Sequence, residues 1–208
     1  MACALLTAML AGPLSFNRAQ DVGRDEAVVS ALARIDSQQI RANLTRLVGF
    51  GTRHALSDPK PDDRGARAAS DWIHAMFRRA AASSSGRMTV SFDAFDPRDY
   101  ARGGEQRALA NLGVTEIRNV IAKLEGTEPD RVIIVSGHYD SRVSQRYDAG
   151  SDAPGANDDG SGTVAVLELA RALADVPTRA SIWFVAMTAE ELGLWGSQNL
   201  AKFCDEND

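Results

Sequence analysis

The sequence predicts an α/β fold in which a mixed, mostly parallel sheet is sandwiched by helices. Three observations carry that expectation. The apolar runs Val132-Ile133-Ile134-Val135 and Ile182 to Met187 show no polar alternation, so each reads as a strand covered on both faces. Between them, Ser161 to Ala174 places Val164, Leu167, Ala170 and Leu173 at helical spacing. A strand, a helix and a strand in that order imply a right-handed parallel crossover. Ligands of such sheets gather beyond the carboxyl ends of the strands.

Composition narrows the class. With 208 residues, 44% of them hydrophobic, the chain can bury the core of one ordinary domain. A formal net charge of −5 and the absence of a basic stripe argue against nucleic acid or an anionic membrane surface as partner. Cys3 and Cys204 stand at opposite ends of the chain, so no disulfide framework is expected.

Residues 1–20 hold an apolar run from Ala2 to Leu10, a Gly12-Pro13 break and a polar Asn17-Arg18-Ala19-Gln20. They resemble a secretory signal peptide, without its usual positive start, and imply a secreted or periplasmic protein. The run is too short for a transmembrane span. Asp25 to Arg34 is weakly helical. Ser37 can cap a stronger helix with Ile40, Leu44, Leu47 and Val48 on one face, ended by Gly49 and Gly51. Gly51 to Asp63, with Pro59 and Pro61, is a loop. From Arg64, the residues Ala66, Ala69, Ile73, Met76, Phe77 and Ala80 form a helical stripe that stops at Ser83-Ser84-Ser85-Gly86.

Met88 to Phe95 alternates Val90, Phe92 and Ala94 against Thr89, Ser91 and Asp93, a strand with one wet face. A polar loop through Gly103-Gly104 leads to a strand from Arg118 to Leu124. Gly126 and Pro129 then turn the chain into Val132 to Val135, a meander entering the centre of the sheet.

The chemistry-bearing residues collect at strand ends. Zinc accepts imidazole nitrogen and carboxylate oxygen, and His138 supplies the imidazole. Asp140, two residues on, lies on the same side of an extended chain and suits a hydrogen bond that sets a histidine tautomer. Asp158 and Asp159 precede Gly160-Ser161-Gly162 at the head of a helix, where unpaired amides favour negative charge. One of the two can bridge metal ions while the other caps the helix. Glu190 and Glu191 follow the second apolar strand and point apart, so one can bind metal while its neighbour takes a proton from water. His54 and His74 stand alone, without a second ligand at helical spacing, and are read as structural. Gly155, Gly160 and Gly162 are read as serving backbone geometry, and Trp195 as packing the last helix.

The ordered set HYDS, PGANDDGSG opening a helix, and AEELGLWGSQ after an apolar strand resembles the co-catalytic zinc aminopeptidases of the M28 peptidase family. GTRH with the following SDP, and RNVIAKLEG, resemble it too, so the likeness runs from about Leu44 onward. The resemblance implies a site for two zinc ions acting on a peptide substrate. His138 and Asp158 would be ligands, with Asp158 bridging; Glu191 would bind the second zinc; Glu190 would be the general base; and Asp140 would support the histidine in the catalytic set. Residues 21–208 would then be the N-terminal portion of such a domain. The family pattern continues with an aspartate on the next strand and a later histidine, and no histidine follows Glu191. The expectation is a truncated site, a sheet with one side of its core open, and weak or absent turnover. A glutaminyl-cyclase-type acyltransferase and a non-catalytic domain on the same scaffold are the alternative readings.

Overall fold

Four strands carry the fold: β1 (Met88–Phe95), β2 (Ile117–Leu124), β3 (Glu128–His138) and β4 (Ala180–Met187). They form one sheet in the order β1-β2-β4-β3. The computed structural model describes residues 25–60 and 62–206; the segment read as a secretory signal lies outside them. Within these limits the class is the expected mixed α/β sheet. Its strand directions differ, however: β1 with β2 and β2 with β4 are antiparallel, and only β3 with β4 is parallel. The parallel pair is joined by the long connection through a helix that parallel pairing needs.

The helices are α1 (Glu26–Leu32), α2 (Ser37–Val48), α3 (Gly65–Ala81), α4 (Gly104–Leu112), α5 (Ser161–Leu173) and α6 (Trp195–Glu206). Strand alternation sorts the sheet into two faces. Val120, Ala122 and Leu124 of β2, with Phe184 and Ala186 of β4, pack against Leu47 of α2, Ile73 and Phe77 of α3, and Val164 and Leu167 of α5. Ile121 and Val185 point the other way, onto Leu200 of α6. The sheet is thus covered by helices on both faces. Among the described residues, no helix is long and apolar enough to cross a membrane.

Four local expectations need correction. The cap of α2 is Asp36, one residue before Ser37; its carboxylate accepts the Gln38 amide at 2.8 Å while its own amide donates to Glu168 at 2.9 Å. Ala94 of β1 is exposed rather than inward, although Val90 and Phe92 pack inward as the alternation implies. The stretch after Gly103 is a helix and not a loop. Gly103 (φ 54°) lets the chain enter α4, Gly113 (φ 68°) ends it in a left-handed cap, and Ala108 and Leu109 pack with Phe95, Leu192 and Trp195. The two flanking glycines obscure a helix that shows only one turn and a half of apolar spacing.

The fourth correction concerns β3. It lies at the sheet edge, beside β4 alone, and β2 pairs with β4 instead of continuing as a meander. Val132, Ile133 and Ile134 are 46%, 53% and 45% exposed, so the uninterrupted apolar run is not buried on both faces. A run of this kind records the hydrophobicity of a strand and not how many neighbours it has.

Candidate metal centre

β3 and β4 run in parallel and end side by side, with His138 opposite Met187. Both candidate clusters therefore emerge at the same carboxyl edge. The head of α5 is drawn against this edge through Gly137, where a Cβ would meet the backbone of Gly162 and Thr163 at 2.7 Å. Asp159 fastens the junction. Its Oδ2 accepts the His138 amide at 3.0 Å and its Oδ1 accepts the Gly162 amide at 2.9 Å, so this carboxylate both caps the helix and ties it to the strand.

Asp158, joined to Asp159 by a cis peptide, is left free to face the cleft. Its Oδ1 lies 3.1 Å from His138 Nε2, and Glu190 Oε2 lies 3.8 Å from the same nitrogen. The other ring nitrogen, Nδ1, is 3.2 Å from the carbonyl oxygen of Asp140 and 3.6 Å from its carboxylate. Asp140 is buried, and its carboxylate accepts the amides of Glu190 at 3.1 Å and Glu191 at 3.2 Å. Its support of the histidine thus comes chiefly through its carbonyl, while its side chain positions the turn that carries both glutamates. Glu191 does not stand with His138 and Asp158: its Oε2 accepts Arg142 Nε at 2.8 Å.

Two buried residues that the sequence reading did not single out hold this edge together. The Arg53 guanidinium donates to the carbonyls of Tyr139 (2.6 Å), Leu47 (3.3 Å), Pro154 (2.8 Å) and Gly155 (2.9 Å). It joins the segments that leave β3 and enter the Asp158 turn. Burial pulls the Arg53 pKa down to about 10, against the pull of Asp140 and Asp159, so it remains a cation at neutral pH. Asn119 on β2 accepts the Thr188 amide at 3.0 Å and donates to Asp93 and to the Gly196 carbonyl, each at 2.9 Å, fixing the turn between β4 and α6. Arg53 lies within the GTRH motif already singled out, which was its only sequence signal. Asn119 had none.

His54 is buried: its Nε2 meets the Arg146 carbonyl at 2.9 Å and its Nδ1 accepts the Leu56 amide at 3.1 Å. His74 stacks on Phe92 with 4.5 Å between ring centroids. Neither joins the cleft. Gly155 adopts φ 45°, and Trp195 is buried at the start of α6.

The donor set suits zinc in kind, and the 3.1 Å separation of His138 Nε2 and Asp158 Oδ1 is close to the spacing of roughly 3.3 Å between two ligands of a tetrahedral zinc. The set is open, however: among the described residues, no three His, Cys, Asp or Glu side chains are already gathered as a cage.

The electrostatics favour a cation at this point. Burial alone would keep the His138 ring neutral, but Asp140, Glu190 and Asp159 outweigh it and push its pKa up from 6.5 to about 9. Burial raises the Glu190 pKa above the usual carboxylate value; His138 opposes the rise, and Asp140, Glu191 and Asp158 add to it. A raised histidine pKa stabilises the fold fully below 6.5, and that stability is lost as pH rises through about 9. With zinc chelated, denaturant unfolding should therefore show a fall on the order of 3 kcal/mol between these limits. His138→Gln should flatten the profile, and a profile unchanged by that substitution would show that another group titrates.

The sequence profile of Peptidase family M28 matches residues 119–208, the stretch that supplies every candidate ligand. Over that stretch the chain is similar to peptidase family M28. Curated relatives include a probable zinc metalloprotease of Pyricularia oryzae, 44% identical over 86% of this chain and 34% of that protein. A probable zinc metalloprotease of Pyrenophora tritici-repentis is 44% identical over 86% of this chain and 35% of its own length. The chain thus spans about a third of the length of these relatives. Its fold is shared with the LapA aminopeptidase of Legionella pneumophila (TM-score 0.64, 24% identity, 88% of this chain and 43% of that one). It is also shared with a glutaminyl cyclase from an Acidobacteriales bacterium (TM-score 0.57, 22% identity, 84% of this chain and 55% of that one).

Proposed function

We propose that the protein is a zinc-dependent aminopeptidase that removes N-terminal residues from peptides outside the cytoplasm. The observation that carries the reading is the convergence of His138, Asp158 and Glu190 at the carboxyl ends of the parallel pair, with Glu191 held one residue beyond. His138, Asp158 and Glu191 would hold two zinc ions, Asp158 as the shared ligand. Bound zinc supplies Lewis acidity that polarises a peptide carbonyl and acidifies water.

The remaining work falls to the chain. Glu190, with its raised pKa and 40% of its side chain exposed, is suited to take a proton from the attacking water as the new C–O bond forms. It then passes that proton to the amine nitrogen as the C–N bond breaks. Asp140 keeps both glutamates in place through their amides. The location outside the cytoplasm rests on the apolar stretch from Ala2 to Leu10.

The test is a panel of aminoacyl reporters, their N-acetylated counterparts and a glutaminyl peptide. It would be given with zinc both to this chain and to a protein of the relatives' full length. Release of reporter from free but not acetylated N-termini is expected from the longer protein, with this chain slower. Cyclisation of the glutaminyl peptide with no hydrolysis would replace the peptidase reading with the acyltransferase one, and equal turnover of acetylated substrates would exclude an exopeptidase.

A further inference from the structure

Arg142 has no part in the mechanism above, yet its position is built. It follows Ser141, whose buried hydroxyl donates to the Ala153 carbonyl at 2.7 Å and accepts the Arg53 amide at 3.2 Å. The loop is therefore anchored one residue before the guanidinium. From there, Arg142 Nε donates to Glu191 Oε2 at 2.8 Å, and the terminal nitrogen Nη1 donates to the Val143 carbonyl at 3.3 Å. Glu191 is gripped twice by the same loop, at its amide by Asp140 and at its carboxylate by Arg142. The pair is partly shielded, with 31% and 17% of the two side chains exposed, so its attraction is screened less than that of a surface pair.

We propose that Arg142 is a resident counter-cation of the metal centre, which neutralises Glu191 when zinc is absent and sets how tightly a divalent ion is held there. The inference rests on the assignment of Glu191 as a zinc ligand. Carboxylate oxygens of Asp140, Asp158 and Glu190 lie 3.6, 3.1 and 3.8 Å from ring nitrogens of His138, and the charge of buried Arg53 acts on Asp140 and Asp159. Glu191 differs in that its carboxylate is in a direct ion pair with a guanidinium, at 2.8 Å. A divalent ion that takes up Glu191 must displace the guanidinium or share the carboxylate with it. Either arrangement opposes binding, because two cations are brought close to one anion. Arg142 thereby keeps the glutamate ordered in the metal-free protein while weakening its hold on the metal.

The test measures zinc affinity by competition with a chromophoric chelator, a readout that needs no turnover, for the unaltered chain, Arg142→Gln, Arg142→Lys, Glu191→Gln and the double variant Arg142→Gln/Glu191→Gln. Arg142→Gln is expected to bind zinc about tenfold more tightly, as fits removal of a cation from a partly shielded ion pair. Arg142→Lys, which keeps the charge, should stay near the unaltered affinity. Glu191→Gln should bind more weakly, and adding Arg142→Gln to it should change nothing further. If Arg142→Gln binds zinc equally or less tightly while Glu191→Gln is weakened, the counter-cation role is wrong and the ligand assignment stands. If Glu191→Gln binds zinc like the unaltered chain, Glu191 is not a ligand, and both fall together.

Discussion

Replacing Glu190 with glutamine is expected to lower peptide turnover by about 10²- to 10⁴-fold, the usual contribution of a positioned proton acceptor, while zinc content stays near that of the unaltered protein. The substitution keeps the shape of the side chain and removes its ability to accept a proton. Glu190 Oε2 sits 3.8 Å from His138 Nε2, farther than Asp158 Oδ1 at 3.1 Å, which suits a group that works beside the ligands and not as one of them. The backbone should be undisturbed, because the grip of Asp140 on this turn is on the Glu190 amide. Metal analysis and steady-state kinetics on the same preparation decide the matter. Loss of zinc along with activity would mean that the two glutamates have exchanged roles.

Arg53→Met should cost at least about 3 kcal/mol of stability, because it strands buried carbonyl oxygens without donors. The methionine fills much of the volume, so packing is a minor part of the loss. Arg53 is fully buried and donates to four carbonyls from three separate segments of chain. Arg53→Lys should recover little, since an ammonium cannot reproduce the planar fork that reaches Tyr139, Pro154 and Gly155 together. Chemical denaturation of the three proteins measures this directly. A loss below about 1 kcal/mol for the methionine variant would show that water replaces the guanidinium.

These two residues mark the division between what the sequence makes legible and what it hides. His138, Asp158 and Glu190 could be singled out because each ends an apolar strand or opens a helix, and local pattern reports such places well. Residue types alone leave the division of labour between Asp158 and Asp159 open, because both are equally good caps in sequence, and only the resemblance points to Asp158 for the metal; the approach of α5 to Gly137 shows that Asp159 takes the amides. Asp140 was expected near His138, but the partners of its carboxylate lie fifty residues along the chain, beyond the reach of a motif. The same holds for Asn119 and the Arg142–Glu191 pair. The glycines flanking α4 read as turn residues and hide the helix, and an apolar run such as that of β3 does not reveal a sheet edge.

The candidate donors all come from one strand, helix and strand, whereas Arg53 and Asn119 reach them from 86 and 69 residues away. This has a consequence for the order of assembly. Pairing β3 with β4 must first close the loop from Tyr139 to Arg179, and the entropy of that closure is met before the parallel pair contributes. The two outlying anchors then join regions that would otherwise open separately: Arg53 ties down the segment after β3, and Asn119 the turn after β4. The cleft therefore becomes a single cooperative unit only when the earlier half of the chain has docked, and breathing of that earlier half opens the metal centre as well.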